Sequence, residues 1–198
     1  MSTTPLISVI IPIYYCDLSL FLPIQSCITA IQENYPDFEL ILVDDCSPLP
    51  VNNWPITSYN EENRGFTATV NKGLAKATGD VLIALNDDIT VKKGQLDRFI
   101  DLRDMEIASP ADTSSSPDDK FGACWGMTAR TYRFLGPLDE QYRNFYSDLE
   151  YYQRAKKEGV EIIKWYDIVL EHPESSTYKL LDKEVLLNDD AKRYHENR

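Results

Sequence analysis

The sequence predicts an α/β domain of three layers, helices on both faces of a mainly parallel sheet. Three observations predict it. Continuous apolar runs at 6–15, 38–43 and 81–85 are rich in β-branched residues, as strands buried on both faces are. Segments with helical spacing of apolar residues alternate with strands up to residue 104. The apolar runs end on polar residues, at Asp44–Asp45 and at Asn86–Asp87–Asp88. In open parallel sheets ligands bind outside such carboxyl ends, so these residues can share one crevice.

Each element follows in order. "LISVIIPIYY" (6–15) is the first strand. Phe21, Leu22, Ile24, Cys27, Ile28 and Ile31 recur on one face of a helix over 19–34, with Ser19 placed to cap it and Pro23 near its start. "FELILVDD" (38–45) closes a βαβ unit. "CSPLPVNNWP" holds three prolines and reads as a loop. A short strand is expected at 56–60 and a helix at 66–78, stopped by Gly79. After the strand at 81–85, Leu96, Phe99, Ile100 and Arg103 predict a helix over 92–104. "SPADTSSSPDDK" (109–120) is expected to be a flexible loop. Strands at 121–129 and 161–170, a helix over 146–159 and a charged helical tail over 179–198 complete the reading.

Composition excludes several functions. The 198 residues carry a net charge of −12 with acids spread along the chain, whereas a nucleic-acid-binding face needs clustered Lys and Arg. Cys16, Cys27, Cys46 and Cys124 form no CxxC pair, which argues for reduced thiols in a cytoplasmic protein rather than a zinc site. No basic region precedes the first apolar run and Pro12 interrupts it, so a signal peptide is not expected. No apolar segment has the length of a transmembrane span.

The motif "VLIALNDDIT" (81–90) carries the most chemistry. Two adjacent carboxylates, Asp87 and Asp88, resist ionising together unless a cation neutralises them. Carboxylate oxygens with open positions suit Mg²⁺ or Mn²⁺, which also bind substrate phosphates. A solvated acidic turn is the plainer alternative. Asp44–Asp45–Cys46–Ser47 is a polar strand end or an acceptor for a base or ribose. Asn63, Arg64 and Gly65 precede a helix whose first N–H groups could face an anion. Asn71, a poor helix former inside that helix, needs a partner, either a ligand or a neighbouring loop. Asp148 sits in the first turn of its helix, where a carboxylate suits the dipole even without a catalytic role.

The segments "ISVIIPIYY", "FELILVDDCSP", "NRGFTATVNKGLAKATGDVLIALNDD" and "FYSDLEYYQRAKKEG" resemble, in order and spacing, the motifs of family 2 glycosyltransferases. The block over 63–88 is most similar to the rhamnosyltransferase-like branch. The resemblance implies the GT-A fold, a nucleotide-diphospho-sugar transferase sandwich, as a single domain over 1–198. Residues 1–104 would be the nucleotide-sugar-binding half and 105–198 the acceptor-side half. It implies inverting transfer of a hexose or deoxyhexose from a UDP-, GDP- or dTDP-sugar, with Mn²⁺ or Mg²⁺, to a glycan, lipid-linked or protein acceptor.

The same resemblance assigns roles. Pro12 and Tyr14 would line the nucleotide pocket, and Asp45 would bond the base. Asn63, Arg64, Gly65 and Asn71 would flank the donor. Asn86, Asp87 and Asp88 match the metal motif, with Asp88 and Asp87 as candidate ligands and His172 completing the site. Asp148 matches the general base. The chain departs from the family pattern at Ser147, where an acid is usual, and at Cys46, where a glycine is usual. The loop at 46–55 also leaves no room for the usual helix between the second and third strands. Two alternatives follow: a non-catalytic nucleotide-sugar-binding module, suggested by Ser147, and a sugar nucleotidyltransferase-like enzyme. The latter needs a Gly- and Lys/Arg-rich loop after the first strand, which "PIYYCDLS" does not supply.

Overall fold

The computed structural model describes residues 6–113, 121–172, 180 and 183–196. Seven strands form one sheet: β1 (Ile7–Ile13), β2 (Glu39–Asp44), β3 (Ser58–Tyr59), β4 (Val81–Leu85), β5 (Glu106–Asp112), β6 (Cys124–Thr128) and β7 (Glu161–Leu170). Their order is β3-β2-β1-β4-β6-β5-β7, and β6 alone runs against its neighbours. The helices are α1 (Phe21–Asn34), α2 (Phe66–Leu74), α3 (Ala129–Leu135), α4 (Ser147–Lys157) and α5 (Lys183–Glu196). This is an α/β architecture with a mainly parallel central sheet, as the sequence predicts.

Alternation along the central strands divides the core into two layers. Ile7, Val9, Ile11 and Ile13 of β1 join Val81, Ile83 and Leu85 of β4 beneath Ile24, Cys27, Ile28 and Ile31 of α1. Ile10, Leu82 and Ala84 face the other way, toward Val70 and Leu74 of α2 and Tyr151 and Ala155 of α4. Gly73 lets α2 press onto the sheet, because a Cβ there would collide with the Ile10 side chain.

Pairing places the strand ends. β1 pairs in parallel with β2, matching Ile13 to Asp44, and with β4. The carboxyl ends of β1, β2 and β4 therefore open on one edge. Antiparallel β6 begins there too, since Cys124 pairs with Leu85.

Several expectations are corrected. Residues 92–104 do not form an α-helix; they hold turns and a short 3-10 segment at Asp97–Asp101 that buries Phe99. Asp17, not Ser19, supplies the cap at the start of the first helical segment, accepting from the Ser19 N–H at 2.9 Å. The helix at 66–78 ends at Leu74. Residues 109–112 belong to β5 rather than to a loop, and β5 is held between β6 and β7. Ser109 and Pro110 look like loop residues, but parallel pairing to β7 overrides that local signal. The rest of that proposed loop, 114–120, lies outside the described residues.

Candidate active site at the carboxyl edge of the sheet

A cavity of about 430 Å³ opens where the strand ends meet. Of the residues singled out from sequence, Pro12, Tyr14, Asp45, Asn63, Gly65, Asn86, Asp87, Asp88 and Asp148 line it. Arg64, Asn71 and His172 are not among its lining residues.

The loop after β2 is built around Asp45. Its Oδ1 accepts from Asn60 Nδ2 at 2.7 Å and from the Arg64 N–H at 2.8 Å, and its Oδ2 accepts from the Gly65 N–H at 2.8 Å. Gly65 has φ +86°, and a Cβ there would lie 2.7 Å from the Arg143 carbonyl oxygen, so glycine is required. The next amides are also taken: Phe66 N–H donates to Asn144 Oδ1 at 3.2 Å and Thr67 N–H to the Arg143 carbonyl at 3.1 Å. The expectation that the first N–H groups of α2 could face an anion is thus corrected. Protein oxygens satisfy the Gly65, Phe66 and Thr67 amides.

Asn71 also has protein partners. Its Nδ2 donates to the Leu138 carbonyl at 2.9 Å and to Glu140 Oε1 at 3.1 Å, and its Oδ1 accepts from the Leu138 N–H at 2.9 Å. Arg64 pairs with Glu140 at 2.7 Å. Both residues tie the segment around the start of α2 to the loop before α4.

Beyond β4, Asn86 is held by its N–H on the Ala123 carbonyl at 2.9 Å. Burial, with the neighbouring Asp88 carboxylate, pushes the Asp87 carboxyl well above the usual range. The Thr90–Glu171 bridge joins this turn to the end of β7 and brings His172 against Asp88, Nε2 to Oδ1 at 3.0 Å. His172 Nδ1 lies 3.6 Å from Asp112 Oδ1. Burial alone would lower the imidazole pKa, but Asp112 and Asp88 outweigh it and raise it to about 9.

Two facing carboxylates at an open cavity, one of them costly to ionise, match the donor set of a Mg²⁺ or Mn²⁺ ion that takes its remaining ligands from phosphate and water. Among the described residues no three His, Cys, Asp or Glu side chains form a closed metal cage. The residues fit an ion shared with a bound diphosphate.

Ser147 and Asp148 reach the cavity at the start of α4, after Tyr146 in a left-handed conformation at φ 64°. Ile13, Phe66, Thr69 and Gly122 also line the cavity, and a further part of the wall is not legible in the sequence: Trp125, Leu138, Arg143, Asn144, Phe145 and Leu186. Arg143 is the one basic side chain among the lining residues. It donates to the Asn63 carbonyl and, at 2.6 Å, to Asn63 Oδ1. Residues 136–146 are irregular, so no periodicity or motif marks them.

Comparisons with known proteins agree on the fold. Over 86–90% of its length the chain shares its fold with the solved structures named below. A mannosyltransferase from Pyrobaculum calidifontis, in complex with GDP-Man and Mn²⁺, matches with a TM-score of 0.70 at 18% identity, over 90% of this chain and 60% of that one. TarS of S. aureus matches with a TM-score of 0.67 at 15% identity, over 86% of this chain and 37% of that one. GalNAc-T7 with UDP, GalNAc and Mn²⁺ gives a TM-score of 0.64 at 16% identity, over 87% of this chain and 44% of that one. An uncharacterized glycosyltransferase of Haemophilus influenzae is 33% identical over 104 residues, which are 48% of this chain and 40% of that protein. The chain therefore spans less than two thirds of the length of these relatives. The model of the family described as glycosyl transferase family 2 matches residues 8–134, which run from β1 through β6 and include the Asp45 loop and the Asn86–Asp88 turn, so the chain belongs to that family.

Proposed function

We propose that the cavity binds a nucleotide-diphospho-sugar and transfers its sugar to an acceptor hydroxyl with inversion, with the help of Mn²⁺ or Mg²⁺. The observation that carries this reading is the convergence of Asp45, Asp87, Asp88 and Asp148 on one cavity at the strand ends. Four carboxylates there suit a cation, a ribosyl donor and a proton acceptor better than they suit an anion alone. Family membership and the nucleotide sugars in the neighbouring structures support the donor class.

Residues take separate roles in this scheme. Pro12, Tyr14, Asn63 and the Asp45 loop line the nucleotide end, while Arg64 and Asn71 brace that loop from outside. Asp88, with Asp87, would hold the cation, and His172, 3.0 Å from Asp88 Oδ1, would complete or orient the site from outside the cavity. The bound ion supplies charge stabilisation for the departing diphosphate. Asp148 accepts the proton that the acceptor hydroxyl loses as its oxygen attacks the anomeric carbon. The nucleoside diphosphate leaves from the opposite face, so the centre inverts and no covalent nucleophile is required.

Residues 1–104 serve as the donor half and 105–198 as the acceptor half of one domain. The likeness of 63–88 to the rhamnosyltransferase-like branch favours a hexose or deoxyhexose donor. Four free thiols favour a reducing compartment such as the cytoplasm. Among the described residues no helix is long and apolar enough to cross a membrane.

Asp148→Asn tests the scheme. It should retain donor binding and lose transfer and donor hydrolysis by roughly 100-fold, within the range for a positioned general base. Unchanged turnover in that variant would remove Asp148 from the chemistry, whereas donor binding without turnover in the wild type would favour a binding module.

A further inference from the structure

α5 lies beyond the matched family region and contributes Leu186 to the cavity wall. Its Asp190 is 1% exposed. Asp190 Oδ1 accepts from the Arg143 N–H at 2.9 Å. Its Oδ2 accepts from the Asn144 N–H at 2.8 Å and the Phe145 N–H at 2.9 Å. One buried carboxylate therefore gathers three consecutive amides of the loop that enters α4. Arg193 adds a contact from its NH1 to the Gln141 carbonyl at 3.0 Å, and the Tyr194 ring packs on Tyr142 and Tyr146.

The gathered residues face the chemistry. Arg143, Asn144 and Phe145 line the cavity, and Asp148 follows three residues later in the same wall. The loop around Asp45 leans on residues 143–144 through Asn63, Phe66 and Thr67, but it also has a support of its own, because Asp45 holds the Arg64 and Gly65 amides. We propose that Asp190 is a positioning residue, a latch that sets residues 143–145 and through them the start of α4 with Asp148. This role rests on the transfer reaction ascribed above to the cavity. Charge-assisted bonds to consecutive amides fix backbone placement, and a displacement of about 1 Å in a reacting group can cost roughly 100-fold in rate.

The test compares wild type with Asp190→Asn and Asp190→Glu in donor hydrolysis and transfer. Asparagine offers one acceptor oxygen and turns an NH₂ group toward amide donors. In Asp190→Asn, kcat should fall at least about 10-fold and by more than donor KM rises, because Asp45 still holds the Arg64 and Gly65 amides while the entry to α4 loses its anchor. Amide exchange should accelerate at 143–145 and stay slow at Arg64 and Gly65. Asp190→Glu retains both acceptor oxygens and should recover part of kcat. If Asp190→Asn turns over like wild type, the role is wrong even though the reaction is right. If kcat, KM and amide protection all change together across the molecule, Asp190 serves general stability and the role is again wrong. A wild-type protein that turns over no nucleotide sugar overturns the underlying reaction, and the positioning role with it.

Discussion

The carboxylate of Asp45 bonds the backbone N–H of Gly65 at 2.8 Å, and this bond joins the end of β2 to the start of α2. The same carboxylate serves Asn60 and Arg64, so three donors depend on one side chain that also lines the cavity.

Asp45→Ala leaves those donors without their acceptor. An unsatisfied buried donor costs about 1–3 kcal/mol, so the expected loss of stability is about 3 kcal/mol, seen as a lower urea midpoint. Gly65→Ala should also destabilise, because it combines a positive φ with a clash against the Arg143 carbonyl. A midpoint unchanged in both variants would mean that the loop does not depend on this bond.

Asn71 gives a second prediction. Its amide satisfies both backbone groups of Leu138. Asn71→Asp removes the NH₂ donor and sets a carboxylate beside Glu140 and the Leu138 carbonyl. It should therefore destabilise more than the expected loss of about 1–3 kcal/mol for Asn71→Ala. Donor affinity in Asn71→Ala should stay within about 3-fold of wild type, well under one tenfold step of 1.4 kcal/mol. A large loss of affinity with intact stability would instead put Asn71 in contact with the donor.

His172 sets a pH dependence of the metal-free protein. Its folded pKa, about 9, lies above the ordinary 6.5. A raised pKa means that the folded state holds the proton more tightly than the unfolded chain does. The stabilisation from the His172 pairs is fully present below about pH 6.5 and is lost as pH rises through about 9. Denaturation midpoints measured with chelator from pH 6 to 10 should decline across that window. The decline should be shallower in His172→Gln, and equal slopes in the two proteins would contradict the pairing with Asp88 and Asp112.

Much of this site is legible in the sequence because strand ends in a parallel sheet are marked twice. Val81–Leu85 announce a buried strand, and Asn86–Asp87–Asp88 announce its polar end. The structure places Asn86, Asp87 and Asp88 in the cavity wall at the end of that buried strand. Ser109–Asp112 are different. Pro110 and the polar residues after it carry a loop signal, yet the pairing of β5 with β7 makes them a strand. That pairing joins residues about fifty positions apart, which local pattern cannot register. Arg143 and Asp190 were missed for the same reason: one lies in an irregular stretch, and the other looks like a solvent-facing acid on a charged helix. Only the fold shows that Asp190 is buried against three amides. Asn71 was visible as a residue in need of a partner, and the partner is Leu138.

The central claim is that Asp88 and its neighbours hold a cation shared with a nucleotide-diphospho-sugar. Titration calorimetry of UDP-, GDP- and dTDP-sugars tests it most directly, using wild type and Asp88→Ala with Mn²⁺ and with chelator. At least one donor should bind wild type with Mn²⁺. That binding should weaken by roughly 10-fold or more when Mn²⁺ is chelated or Asp88 is removed, the scale of one lost charge-assisted contact. No binding of any donor to wild type, or binding indifferent to both Mn²⁺ and Asp88, would contradict it.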